Sequence, residues 1–233
     1  MEILGFIENS FIDWDGKISA VIFLGGCNFK CPFCQNYPIV KRDKLLRRYK
    51  LSDILEYLRN NQKFIDSVVI TGGEPLINPG IFDLARSFKE IGFLIKLDTN
   101  GYFYFNLLSL IKENLIDYVA MDIKTSFKKY HKAVGRKIEL SLIKDSIELL
   151  KEEKVDYEFR TTLVPKLVTE EDLLSIKEEI SGAKRWVLQR FVNENAKSKI
   201  YQRIKPYTKE EAQRFVSLLK ADNKIKEIYL RGY

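Results

Sequence analysis

Cysteine is scarce in this 233-residue chain, with three in all, and histidine is scarcer, with one. Three thiols cannot close a disulfide framework, and in a reducing compartment a tight thiol group binds metal or does redox chemistry. Long apolar runs are also missing: none approaches the roughly 18 residues of a membrane span. The opening MEILGFIENSFIDWDG carries acids where a secretory signal has a basic region. The chain therefore reads as cytoplasmic, with no membrane partner. Ser/Gly-rich linkers, low-complexity tracts and internal repeats are absent too, which leaves one domain over residues 1–233.

What is present is a 45% hydrophobic composition, enough for a substantial core, and a formal charge of +7. The densest basic patch is KRDKLLRR, Lys41 to Arg48. Elsewhere, as in KEEKVDYE and TKEEAQRF, bases interleave with acids in the manner of solvated helix faces. No nucleic-acid module is recognisable, so nucleic acid is not an expected partner.

Short apolar runs alternate with helical periodicity. Strands are expected at Ile18–Gly25, Ser67–Thr71, Phe93–Thr99, Tyr118–Lys124, Tyr157–Val164 and Arg185–Phe191. Helices are expected near Leu51–Asn61, Pro79–Glu90, Phe105–Glu113, Leu140–Glu153, Thr169–Ile180 and Thr208–Asp222. The last begins with a capping box, Thr208-Lys-Glu-Glu211, and sets Ala212, Phe215, Val216 and Leu219 on one face. Six β/α units indicate an α/β fold with a parallel sheet, either open and doubly wound or a partial barrel. A hairpin is expected over about 1–17, the core over about 18–222 and a closing strand over about 225–231.

In such folds functional side chains gather at the C-terminal ends of the strands. Cys27, Cys31 and Cys34 follow the first expected strand, and Gly72-Gly73-Glu74-Pro75 follows the second. Asp98-Thr99-Asn100-Gly101 closes the third, and Asp122 and Lys124 close the fourth. Arg160 lies in the fifth and Gln189 near the end of the sixth. Each taken alone is ordinary turn or strand chemistry; their convergence on one rim marks a site. Asp122 and Lys124, two apart on a strand, would face the same way, as a zwitterionic ligand requires, or would form a buried ion pair.

Thiolates suit zinc or iron and sulfur. A structural zinc would recruit His131, but its setting in KKYHKAVG is that of a surface residue, and no second ligand pair exists. Three thiolates on a 4Fe-4S cluster would leave one iron with an open coordination position.

The spacing Cys27-Asn-Phe-Lys-Cys31-Pro-Phe33-Cys34 resembles the C-x-x-x-C-x-aromatic-C signature of the radical S-adenosylmethionine (SAM) superfamily, and Gly72–Pro75 resembles its GGEP motif. The resemblance implies a partial (β/α)6 TIM-type barrel, a 4Fe-4S cluster on Cys27, Cys31 and Cys34, and SAM chelating the open iron through its amino and carboxylate groups. By the same resemblance Phe33 borders the adenine, Gly72, Gly73, Glu74 and Pro75 meet the methionine amino group, and Asp122 and Lys124 contact SAM. Asp98, Thr99 and Asn100 lie beside that pocket, together with Arg160. A monovalent cation near Asp98 and Asp122 belongs to the same implication.

IDWDGKISAVIFLGGCNFKCPFCQN, LDTNG, MDIKTSFKKYHKAVG and WVLQRF bring the text nearer to glycyl-radical enzyme activating proteins. These include the activators of anaerobic ribonucleoside-triphosphate reductase and pyruvate formate-lyase. Two positions depart from the family: Gln189 stands where some relatives carry a histidine for the ribose, and Gln35 where others carry histidine. An amide can still bond a diol. The implied reaction is one-electron cleavage of SAM to methionine and a 5'-deoxyadenosyl radical, which takes hydrogen from a glycine Cα of a partner enzyme. The implied partners are that glycyl-radical enzyme and a one-electron donor such as flavodoxin or ferredoxin. No catalytic triad is needed, because the cofactor carries the chemistry. The competing enzyme reading is radical SAM chemistry on a small molecule or RNA, such as deazapurine synthesis. The non-enzyme reading is an iron-sulfur electron carrier or zinc-stabilised binding module.

Overall fold

Runs such as SAVIFL and SVVITG are apolar, β-branched and buried along almost their whole length, as expected of strands covered on both faces. The computed structural model, which describes residues 1–233, places them in one eight-stranded sheet. Its strands are β1 (Ile3–Ser10), β2 (Ser19–Leu24), β3 (Ser67–Gly72), β4 (Leu94–Thr99), β5 (Tyr118–Asp122), β6 (Asp156–Leu163), β7 (Arg185–Arg190) and β8 (Glu227–Arg231). Spatial order equals chain order. β1 lies antiparallel on β2, and every later neighbour is parallel. β1 and β8 are not paired, so the α/β barrel is partial and open.

The crossovers are helical: α1 (Tyr37–Val40) and α2 (Leu51–Asn60) follow β2, α3 (Ile81–Glu90) follows β3, and α4 (Tyr104–Lys112) follows β4. α5 (Tyr130–Val134) and α6 (Leu140–Lys151) follow β5, α7 (Glu170–Glu179) follows β6, and α8 (Lys199–Gln202) and α9 (Lys209–Leu219) follow β7. The six long helices and the six central strands match the periodicity to within a few residues. The Thr208–Glu211 capping box forms, and a second joins Thr169 and Asp172 at the start of α7. No helix is long and apolar enough to cross a membrane.

Two features differ from the sequence reading. The opening segment is one strand paired to β2 rather than a hairpin of its own. β5 ends at Asp122, so Lys124 lies beyond the strand instead of within it. The expected closing strand forms as β8, parallel to β7.

Strand alternation sorts side chains to two faces. Ile22, Leu24, Val68 and Ile70 join the main core with helix residues such as Leu58, Phe88 and Leu110. Val21, Val69 and Ala120 point the other way into a small inner cluster with Trp14 and Tyr118. The inner face is otherwise polar. Lys96 and Glu158, each 1% exposed, lie 3.7 Å apart, and Lys96 Nζ donates to the Asp13 carbonyl at 2.5 Å. Arg231 donates to both Glu158 oxygens, at 2.7 and 3.0 Å, and to Asp15 at 3.0 Å. The β1–β2 loop and the last strand are thus fastened to the same buried carboxylate.

Removing that carboxylate leaves two cations without their buried partner. Glu158→Ala should therefore cost about 3–5 kcal/mol, whereas Asp15→Ala, at a side chain 63% exposed, should cost less than about 1 kcal/mol. Urea denaturation of the two variants checks the contrast.

Candidate active site

The C-terminal ends of β2 to β7, with the end of β8, surround a cavity of about 440 Å³. Cys27, Cys31 and Cys34 line it from the loop after β2, Gly72 and Gly73 from β3, Asp98, Thr99 and Asn100 from β4, and Asp122 and Lys124 from β5. Arg160 of β6, Gln189 of β7 and the buried ring of Phe33 complete the expected set at this wall. Glu74 and Pro75 do not reach the cavity; both are buried behind it. His131 is exposed on α5 and joins no group of metal-ligating side chains.

The cysteine loop is held from several sides by groups distant in sequence. The Glu74 N–H donates to the Gly26 carbonyl at 2.9 Å, and the Asn36 amide donates to the Gly72 carbonyl at 2.9 Å. Asn100 Nδ2 donates to Asn28 Oδ1 at 2.8 Å and lies 4.0 Å from Cys27 Sγ. Lys30 N–H bonds the Val134 carbonyl, while Lys197 N–H and Ser198 N–H bond the carbonyls of Cys34 and Pro32. Burial pushes the free Cys27 thiol up to about 12 and Cys31 up to about 11, and it raises Cys34 also. The Lys124 ammonium pulls all three the other way.

The Gly72–Pro75 turn must be built from glycine. Gly72 has φ +121°, and a Cβ on Gly73 would stand 1.9 Å from the Gly26 carbonyl oxygen. Glu74 then turns inward as a strut. Its Oε1 accepts from the Leu76 N–H and the Thr99 hydroxyl at 3.1 and 2.8 Å, and its Oε2 accepts from the Asn100 N–H at 2.7 Å. Burial pushes this carboxyl up to about 7, against three donors that favour its ionised form. One side chain therefore locks the β3 turn to the β4 turn.

A chain of alternating charge crosses the cavity wall. Arg160 donates to Asp122 at 2.8 Å and Asp98 at 3.0 Å, and Lys124 donates to the other Asp122 oxygen at 2.8 Å. Burial would raise Asp122, but Arg160 and Lys124 outweigh it and hold the carboxyl at about 2. The Asp122–Lys124 ion pair posed by the sequence forms, and it lines the cavity. Arg160 thus bridges Asp98 and Asp122 across the wall. The loop carrying Lys124 is clamped below, where Ser126 and Lys129 both bond Asp172, at 2.6 and 2.7 Å.

The radical SAM superfamily model matches residues 21–180. This chain belongs to the radical SAM superfamily. A Methanocaldococcus jannaschii protein provisionally described as a glycyl-radical enzyme activating enzyme is 37% identical over 220 residues, covering 91% of this chain and 88% of the relative. The 7-carboxy-7-deazaguanine synthase of Haemophilus influenzae is 35% identical over 118 residues, 50% of this chain and 49% of that one. Among solved structures, Streptococcus suis SuiB bound to precursor peptide SuiA superposes with a TM-score of 0.71 at 17% identity, covering 91% of this chain and 48% of SuiB. That likeness establishes the fold.

Radical SAM enzymes use a 4Fe-4S cluster and SAM, and the residues present fit both. Three soft donors on one loop face a cavity with no fourth, and no three His, Cys, Asp or Glu side chains group around a single ion position. That donor set suits a cluster in which each thiolate takes a different iron. Asp98, which lines the cavity, has a buried Oδ1 without a hydrogen-bond partner, so polar capacity remains for a ligand. Sequence reasoning missed Thr71, Thr162, Arg190, Arg231 and Gly232 on the wall, as well as Asn28 and Arg136 behind the loop. For the wall residues the only sequence signal is position at or just beyond a strand end.

Gly73→Ala should push the cysteine loop away from the turn and lower SAM affinity at least about tenfold, roughly 1.4 kcal/mol, with far-UV circular dichroism retained. Glu74→Gln sets an amide nitrogen against an N–H or O–H donor and should cost about 1–3 kcal/mol in denaturant titration.

Proposed function

We propose that this chain is a glycyl-radical enzyme activating enzyme that acts on a glycine of a partner protein such as an anaerobic ribonucleotide reductase or a pyruvate formate-lyase-like enzyme. The observation that carries the reading is extent: likeness to the archaeal activating enzyme runs through 91% of the chain, whereas likeness to the deazaguanine synthase stops at 50%. When bound, the cluster and SAM supply a 5'-deoxyadenosyl radical by one-electron reductive cleavage.

The protein's own contribution is placement. Cys27, Cys31 and Cys34 would hold the cluster, and burial beneath Phe29 and Phe33 would keep water from it. Lys124 and Asp122 offer an ammonium and a carboxylate to a zwitterionic ligand from a loop that Asp172 immobilises. The backbone of Gly72 and Gly73 would face the amino end, and the Gln189 amide would serve the ribose. No general base is required of the wall, and the salt-bridged Asp122 has none of the character of one. The sheet is open between β1 and β8, and the exposed Gly232 lies on the cavity rim, which leaves room for a peptide. An electron donor completes the reaction.

Anaerobic reconstitution should give about four irons and four sulfides per chain, and alanine at any one of the three cysteines should abolish them; stoichiometric zinc without iron contradicts the site. Asp122→Ala and Lys124→Ala should keep the cluster and weaken SAM binding. With SAM, reductant and the partner protein, electron paramagnetic resonance should show a glycine-centred doublet that collapses when the glycine Cα is deuterated. Turnover of a free nucleobase without a protein radical would move the chain to the deazapurine class.

A further inference from the structure

The net charge of +7 conceals a strong asymmetry. Three segments contain or touch the cysteine loop: 28–50, 127–137 and 190–205. Together they hold seventeen Lys and Arg against two acids, Asp43 and Glu194, while the rest of the chain holds twenty-two against thirty. The segments are remote in sequence and meet only in the fold. Lys30 N–H bonds the Val134 carbonyl at 2.8 Å, Arg136 bonds the Asn28 carbonyl at 2.8 Å, and Lys197 N–H bonds the Cys34 carbonyl at 3.0 Å. The Lys41 and Lys197 ammonium groups share the Tyr37 ring, at 5.9 and 4.9 Å from its centroid.

Some of this charge is spent internally. Lys41 pairs with Asp43, Arg42 and Arg48 reach Glu2, and Lys129 reaches Asp172. Lys44, Arg47 and Lys199 are exposed and face no acid. Among them stand Leu45, 93% exposed, and Ile200, 72% exposed, so the face combines cations with apolar contact area. Of the seventeen cations only Arg190 lines the cavity.

That placement separates two kinds of partner. A protein presenting a glycine must enter the cavity, whereas an electron carrier need only approach the outside of the loop that holds the thiols. Resting on the function proposed above, we propose that this face docks an acidic one-electron carrier protein. Its field would steer such a carrier and set the rate of encounter. One electron leaves the carrier's reduced prosthetic group and enters the cluster site; no bond forms or breaks, and no proton or group moves.

The test uses the anaerobically reconstituted protein and an acidic low-potential flavodoxin in its fully reduced form. Affinity is measured by calorimetry, and cluster reduction by stopped-flow absorbance, at rising sodium chloride. The variant Lys44→Glu/Arg47→Glu/Lys199→Glu is compared with Lys63→Glu/Lys112→Glu, whose exposed lysines follow α2 and end α4 at the opposite mouth of the sheet. The proposal expects the wild-type affinity to fall with salt and the triple variant to bind flavodoxin at least about tenfold more weakly at low salt. Reduction by photoexcited 5-deazaflavin should stay unchanged in both variants, and the double variant should bind as wild type does. Unchanged flavodoxin binding by the triple variant overturns the proposal, as does a loss confined to RNA or to the glycyl-radical protein. A wild type that takes up no iron overturns the catalytic reading instead. A wild type that takes up iron and accepts electrons from deazaflavin, yet binds flavodoxin indifferently to this face, overturns the docking proposal alone.

Discussion

Two loops from neighbouring strands meet at a backbone hydrogen bond, Glu74 N–H to the Gly26 carbonyl, across a glycine with no room for a side chain. That contact fixes how far the thiols stand from the turn that would meet SAM. Everything else at the rim is arranged to keep it. The Glu74 carboxylate reaches under the turn to the Thr99 hydroxyl and the Asn100 N–H, so β3 and β4 end at one height. Asn100 in turn reaches Asn28 within the cysteine loop. Three segments thus share one hydrogen-bonded frame, and placement of this kind is what a cofactor-driven radical reaction asks of its protein.

Below the frame, the barrel interior is built from alternating charge rather than from packed aliphatic layers. Glu158 faces Lys96 and Arg231, Lys96 approaches Asp98, and Arg160 joins Asp98 to Asp122, which ends at Lys124 beside the thiols. Each buried ion would be unfavourable alone; paired in series they are tolerated, although hydrophobic residues of equal volume could be as stable. The retention of charge here therefore has a better explanation in the site than in stability. A rigid row of paired ions presents a carboxylate and an ammonium at the cavity with little reorganisation when a zwitterion arrives.

Much of this was legible in the sequence, for physical reasons. Long helices and buried parallel strands carry their periods openly, and functional residues at strand ends follow from topology, so the thiols, the glycine turn, Asp98 and Asp122 could be gathered in advance. The four- and five-residue helices α1, α5 and α8 could not, because one turn holds no period. Arg231 reads as a residue near a terminus, and only the register of β8 against β7 carries it to the inner face. Glu74 matches a motif but acts from behind the wall, and no spacing distinguishes lining from bracing. The charge asymmetry was hidden most completely, since a sum over the chain averages the basic segments around the cysteine loop against an acidic remainder.

The central claim is that one iron of a three-cysteine cluster is left open for the amino and carboxylate groups of SAM within this cavity. Electron-nuclear double resonance of the reduced protein, loaded with SAM carrying nitrogen-15 in its amino group and oxygen-17 in its carboxylate, measures that contact directly. Hyperfine coupling of both labels to the cluster is the predicted result. A reduced cluster that shows neither coupling, with SAM bound at saturation, would contradict it.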